Sequence, residues 1–157
     1  SGPANHHAPL YRSKCDDEAT ADYGDKAVQA YLGEGVPGGK LLLGVPFYGR
    51  GWRGVAAVNN GLCNPARGIP RGTYEKGVDD YEVLANSGDP IFHEEDSSAA
   101  WTFDGNEFWS FDDPESLGTK AGYTLDNGLR GVMFWELSGD DPGASLVRAL
   151  RDGMTAP

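Results

Sequence analysis

The sequence predicts a parallel α/β fold interrupted by a small α+β insertion. Three observations carry this reading. Two continuous apolar runs of strand length occur, Lys40 to Phe47 and Gly131 to Leu137; helical periodicity lies before, between and after them; and a long turn-rich stretch separates them. An apolar run without polar alternation marks a strand covered on both faces, as in a parallel sheet flanked by helices. The order helix, strand, insertion, helix, strand, helix is the rhythm of such folds.

Residues 1 to about 20 read as an irregular loop, with Pro3, Pro9 and a polar cluster from Ser13 to Glu18. A helical pattern follows from Ala21. Ala27, Val28, Tyr31 and Leu32 share a face, Asp22 or Asp25 sits near the start, and Gly33, Gly35 and Pro37 end it. The first strand run leads directly into Tyr48-Gly49-Arg50-Gly51-Trp52. Beyond it, Asn59-Asn60-Gly61, Asn64-Pro65 and Ser87-Gly88-Asp89-Pro90 are turns, and Gly77 to Ala85 is a short helix candidate. Ala100 to Phe103 and Glu107 to Phe111 flank Asp104-Gly105-Asn106, a hairpin signature. A structureless loop of this length is improbable, so the stretch reads as a subdomain of its own. Asp113-Pro114-Glu115 starts a helix with the carboxylate at N-cap and proline at the first helical position. Leu117, Ala121, Thr124 and Leu125 line its apolar face and Gly128 stops it. After the second strand run, Asp141-Pro142 opens a last helix with Leu146, Val147 and Leu150 on its apolar side.

Composition excludes several classes of function. The 157 residues suit one domain with a sizeable core. The 23 glycines and 10 prolines devote much of the chain to loops, while 4 Trp, 7 Tyr and 6 Phe indicate a globular protein. Lys plus Arg number 13 against 24 Asp plus Glu, a net charge of -11, and no cationic footprint for nucleic acid exists. No apolar run approaches membrane-spanning length. Ser1-Gly2-Pro3-Ala4 is no signal peptide, so the polypeptide is expected to begin partway through a longer gene product. Cys15 and Cys63 lack zinc-site spacing; one disulfide in an oxidising compartment and two free thiols both stay open. His6-His7 has no Cys or carboxylate at ligand spacing and reads as a polar loop.

In a βα-barrel, functional residues gather at the C-terminal ends of strands. Both strand runs here end in aromatic and charged groups: Tyr48, Arg50 and Trp52 on the first, Trp135 and Glu136 on the second. That pairing suits a carbohydrate cleft, where indole and phenol rings stack on sugar faces and polar groups take the edges.

At this point the sequence resembles glycoside hydrolase family 18, the chitinases. Lys40 to Trp52 resembles the family's seventh barrel strand, and Gly131 to Glu136 its eighth. Thr73-Tyr74-Glu75-Lys76-Gly77-Val78-Asp79-Asp80-Tyr81 resembles the opening of the insertion domain of the bacterial chitinase A type, and Phe111 to Ser116 that domain's exit. The resemblance implies the C-terminal part of a TIM (β/α)8 barrel. Residues 1–52 would be a barrel segment with helix 6 and strand 7, 53–110 the insertion, and 111–157 a segment with helix 7, strand 8 and helix 8.

The function implied is hydrolysis of β-1,4 N-acetylglucosamine linkages by the retaining, substrate-assisted route, in a secreted enzyme without cofactor. The family's general-acid motif, Asp-x-x-Asp-x-Asp-x-Glu on strand 4, and its Tyr-Asp pair on strand 6 do not occur in this chain, so no catalytic residue is assigned in it. The resemblance makes Trp135 the floor under the reactive sugar. Tyr48 and Arg50 would line the same pocket, Tyr74 and Glu75 a cleft wall, Glu136 a neighbouring subsite, and Trp52 would offer another stacking surface. Trp101 and Trp109 are expected in the core of the insertion. Expected partners are chitin or chito-oligosaccharide and the N-terminal part of the barrel. The alternatives are a chitin-binding lectin of the same fold without hydrolysis, or an inactive fragment.

Overall fold

The computed structural model describes residues 2–155; Ser1, Ala156 and Pro157, at the ends of the two outer expected segments, lie outside them. Helix α1 (Gly24–Gly33) leads to strand β1 (Leu42–Pro46), and β2 (Tyr48–Arg53) follows after one residue. Then come β3 (Val78–Asp80), α2 (Tyr81–Ala85), β4 (Ile91–Glu94), β5 (Ala99–Phe103) and β6 (Glu107–Phe111). Helix α3 (Pro114–Asp126), β7 (Gly131–Trp135) and α4 (Ser145–Gly153) close the chain.

The strands form two sheets. β1 and β7 pair in parallel, in register from Leu42 with Gly131 to Pro46 with Trp135. The other five strands form an antiparallel sheet in the order β3-β2-β6-β5-β4. Phe47 is the pivot between the sheets. Its N–H donates to the Trp135 carbonyl at 2.7 Å, its carbonyl accepts from the Tyr81 N–H at 3.0 Å, and its ring stacks on Phe134 at 4.5 Å. The apolar run therefore ends as a parallel strand at Pro46. Tyr48, Arg50 and Trp52 do not crown that strand, as expected, but belong to a central strand of the antiparallel sheet.

Both faces of the parallel strands were expected to be buried, and only one is. Leu43, Val45 and Phe47 pack with Leu117, Ala121, Leu146 and Leu150. The opposite face leaves Leu42 54%, Met133 49% and Trp135 64% exposed. Two strands cannot curve round to cover their own second face, and each keeps an unpaired outer edge. A second cluster, Ala4, Val55, Leu62, Trp101, Phe103 and Phe108, fills the space beneath the antiparallel sheet.

Helix ends follow local chemistry. Asp113 and Ser116 form a reciprocal capping box at the start of α3, with Asp113 Oδ1 accepting from the Ser116 N–H at 2.9 Å and Ser116 Oγ from the Asp113 N–H at 3.0 Å. Leu117, Ala121 and Thr124 are buried as expected, but Leu125 faces solvent because it lies off the stripe that α4 covers. Helix α1 starts at Gly24 rather than Ala21 and leaves Tyr31 exposed, burying only Val28. The candidate helix Gly77 to Ala85 is a short strand followed by five helical residues. Helix α4 begins at Ser145, not at Asp141-Pro142, because the Asp140 carboxylate accepts from the Leu146 and Val147 N–H groups at 3.1 and 3.0 Å. The β5–β6 hairpin turns at Gly105, whose φ of 100° suits glycine.

The N-terminal segment is irregular but deeply anchored, which corrects the polar-loop reading of His6-His7. His6 is buried with Nε2 2.9 Å from Glu94 Oε2, and the Leu10 N–H donates to the Ser97 carbonyl at 2.9 Å. Lys120 Nζ donates to the Ala8 carbonyl at 2.6 Å and pairs with Asp112. Cys15 and Cys63 are joined by a disulfide across a sequence separation of 48.

Candidate functional site

The sequence Tyr48-Gly49-Arg50-Gly51-Trp52 alternates large and absent side chains along β2. In a strand, alternate residues face opposite sides. Gly49 and Gly51 are on the packed side: a Cβ on Gly49 would sit 2.4 Å from Leu84 Cδ1, and one on Gly51 2.6 Å from Pro70 Cγ. Tyr48 and Arg50 are thereby turned to the other side.

Strand pairing then assembles a cleft. β3 lies antiparallel to β2 with Tyr48 opposite Asp80 and Arg50 opposite Val78. Tyr74 and Glu75 come from the tight turn before β3, where Gly77 has φ 73° and Glu75 bridges Val78. The hydrogen bond from Phe47 to Trp135 holds the end of β7 beside the start of β2, so Trp135 and Glu136 complete the enclosure. The Trp135–Glu136 peptide bond is cis. The resulting cavity, about 260 Å³, is lined by Tyr48, Arg50, Tyr74, Glu75, Val78, Asp80, Trp135 and Glu136. A second cavity of about 250 Å³ shares Tyr48 and Trp135 and adds His7, Ala8, Gly44, Val45, Pro46 and Met133.

Six of the seven residues that sequence reasoning singled out for binding thus meet in one cleft. Trp52 does not join them. Its indole packs edge-on against Phe108, 5.8 Å away, and belongs to the second hydrophobic cluster. The strand's twist and the pairing of Trp52 with Phe108 carry it away from Trp135. Trp101 and Trp109 are buried at 5% and 8% exposure; Trp101 lies in the second cluster, whereas Trp109, expected in the core of the insertion, packs into the main cluster with Phe47 and Leu117.

Two cleft residues escaped sequence reasoning. Asp80 is one, and its only signal was the alternation Val78, Asp80 beside the recognised Tyr74-Glu75. Burial, then Asp79, Glu136 and Glu82, raise its carboxyl above the usual carboxylate range. His7 is the other. Its ring centroid lies 5.0 Å from that of Tyr48, its main-chain N–H donates to Ser110 Oγ at 3.0 Å, and its Nε2 is buried without a hydrogen-bond partner among the described residues. Burial, then Arg50 and Lys120, push its pKa down to about 4. No sequence signal distinguished it from a loop histidine.

Chemically the cleft offers rings for stacking on flat apolar surfaces and an arginine with three carboxylates for hydroxyl and amide edges. Among the described residues no group of three or more His, Cys, Asp or Glu is placed to hold a metal. No described helix is long and apolar enough to cross a membrane.

A model of the glycosyl hydrolases family 18 matches residues 1–140. The chain belongs to that family. Chitinase 63 of Streptomyces plicatus is 37% identical over 157 residues, a span that is 98% of this chain and 24% of that relative. The catalytic domain of a psychrophilic chitinase B from Arthrobacter TAD20 superposes with a TM-score of 0.90 at 35% identity, covering 99% of this family 18 chain and 35% of that domain. A chitinase-like agglutinin from Robinia pseudoacacia superposes with a TM-score of 0.79 at 27% identity, covering 96% and 41%. The family 18 chain therefore has neighbours in the TIM-barrel chitinase family and spans 24%, 35% and 41% of these three proteins.

Buried His6 and half-buried His7 make stability depend on pH. The unfolded chain binds a proton at His7 near pH 6.5, whereas the folded chain binds it only near 4. Between these values the unfolded state holds the extra proton, so stability falls as pH drops and the loss is complete below about pH 4. His6, also lowered by burial, acts in the same direction. His7 alone contributes on the order of 3 kcal/mol across the interval. Melting curves from pH 7 to pH 4 should show a falling thermal midpoint, with a shallower slope in His7→Phe. An unchanged slope in that variant would show that His7 does not carry the effect.

Proposed function

We propose that this chain is the C-terminal part of a secreted chitinase barrel and supplies the wall and floor of its sugar cleft. Residues 1–52 and 111–157 are the barrel segments, with β1 and β7 as strands 7 and 8. Residues 53–110 are the insertion, to which β2 lends a strand. The observation that carries the reading is the meeting of Tyr48, Arg50, Tyr74, Glu75, Trp135 and Glu136 around one cavity. The remaining strands cover the exposed face of Leu42, Met133 and Trp135.

In the substrate-assisted route, the sugar's own acetamido oxygen attacks the anomeric carbon while a general acid protonates the leaving oxygen. The acid belongs to sequence outside this chain. Trp135 stacks beneath the reactive sugar, while Tyr48 and Arg50 hydrogen-bond its polar edge. Tyr74 and Glu75 form the wall of an adjoining subsite, with Glu136 and Asp80 beside it. These groups orient substrate and stabilise developing charge rather than transfer the proton.

A second reading, binding without hydrolysis, draws support from the likeness to a chitinase-like agglutinin. The 157-residue chain tests the shared part of both readings. Titration with N-acetylglucosamine hexamer, followed by tryptophan fluorescence, should give a Kd on the order of 1 mM. The same sample should not turn over a chromogenic chitobioside. Absence of binding, or turnover by the isolated chain, overturns the assignment. Turnover by the longer gene product separates the enzyme from the lectin.

A further inference from the structure

The main chain around His7 is held by its neighbours, not by the imidazole. His6 reaches Glu94, the Ala8 carbonyl takes the Lys120 ammonium, and the His7 N–H itself bonds Ser110 Oγ. Ser110 lies opposite Arg50 across β2 and β6, so this last bond registers the segment against the strand that carries Tyr48. The His7 ring lies against the Tyr48 ring at 5.0 Å and 50°. Its Nε2 is buried and bonds nothing among the described residues. Tyr48 in turn is one of the two residues common to both cavities, the other being Trp135.

From this geometry we infer that His7 is a positioning residue of the sugar cleft: its ring, carried on a main chain that Ser110 holds, backs Tyr48 and sets that ring's orientation toward ligand over Trp135. The inference rests on the proposed cleft. A ring is suited to the task because tilted aromatic pairs have preferred geometry, which an aliphatic chain does not supply. An uncharged ring is also required, since Arg50 and the buried Lys120 ammonium both stand near it; burial and these two cations keep the imidazole neutral at working pH. Tyr48 is half-buried, so its ring has room to turn once that backing is removed.

The experiment is a double-mutant cycle on the 157-residue chain, read as affinity for N-acetylglucosamine hexamer. His7→Ala should weaken binding about three- to tenfold, the range to which the worth of an aromatic pair converts. His7→Phe should stay within about twofold, and His7→Gln, which fills the space but cannot stack, should match His7→Ala. In a Tyr48→Ala background the His7→Ala effect should vanish, because the residue acts through Tyr48. Additive effects of His7→Ala and Tyr48→Ala overturn the inference, as does normal affinity in His7→Gln. If His7→Ala does not fold, the His7→Phe and His7→Gln pair decides the question alone. Trp135→Ala is the control: if it leaves affinity unchanged, the cleft reading fails first, and the inference falls with it.

Discussion

Replacing Trp135 by alanine in a protein that joins this chain to the rest of a family 18 barrel is expected to lower turnover of chito-oligosaccharides about a hundredfold, the scale of a misplaced reacting centre. An indole beneath the distorted sugar helps most in the transition state, so kcat should fall as well as KM rise. The usual objection to such a result is that removing a large aromatic unfolds the core. Within this chain Trp135 is 64% exposed, so its own segment loses little packing with it; in the joined protein, where the remaining strands cover that face, the thermal midpoint is the control that separates lost packing from lost catalysis. Trp109 provides the contrast. It is 8% exposed within the main cluster, and Trp109→Ala should cost about 3–5 kcal/mol of stability while acting on turnover only through folding. Measuring kcat, KM and melting temperature for both variants decides the matter. A folded Trp135→Ala with near-normal kcat means that the indole is only packing.

The second large effect is expected at the buried pair of Lys120 and Asp112, each 2% exposed. Burial pushes the Asp112 carboxyl up, and the Lys120 ammonium and the Ser116 hydroxyl pull it back. Lys120→Met leaves the carboxyl in an apolar surrounding with Ser116 as its remaining hydrogen-bond partner, and its Oδ2 already has none. Loss of one member of a buried pair costs about 3–5 kcal/mol. The lysine also holds the Ala8 carbonyl, so the N-terminal segment that carries His7 loosens from α3 at the same time. An uncompensated carboxyl has a folded pKa above its unfolded value; the stability of the variant is therefore retained in acid and lost as pH rises. Urea denaturation should show Lys120→Met much weaker than the parent at pH 7, with a smaller gap at pH 5. Adding Asp112→Asn should recover part of the loss. A cost below about 1 kcal/mol at pH 7 would mean that the pair is not desolvated as the structure has it.

Local chemistry determined much of this protein in the sequence itself. Asp113, Pro114 and Ser116 set the start of α3 with contacts made within one turn of chain. Asp104-Gly105 placed the β5–β6 hairpin because the turn needs a residue free to take positive φ. The family resemblance, rather than local chemistry, singled out Tyr74 and Glu75, which line the cavity, while Tyr48-Gly49-Arg50-Gly51 read as the end of the first strand and is instead a strand of the antiparallel sheet with one close-packed face. Only the tertiary structure decided the rest, because each remaining feature depends on contacts between distant segments. Asp80 entered the cleft through its register against Tyr48, and Trp52 left it through its pairing with Phe108. His7 became part of the cavity because Ser110, 103 residues further along, holds its main chain. The exposure of Leu42, Met133 and Trp135 on one face of the parallel pair follows from strand count, which residue pattern does not encode. Apolar runs state that a strand can be covered; which neighbours cover it is set by how the whole chain closes.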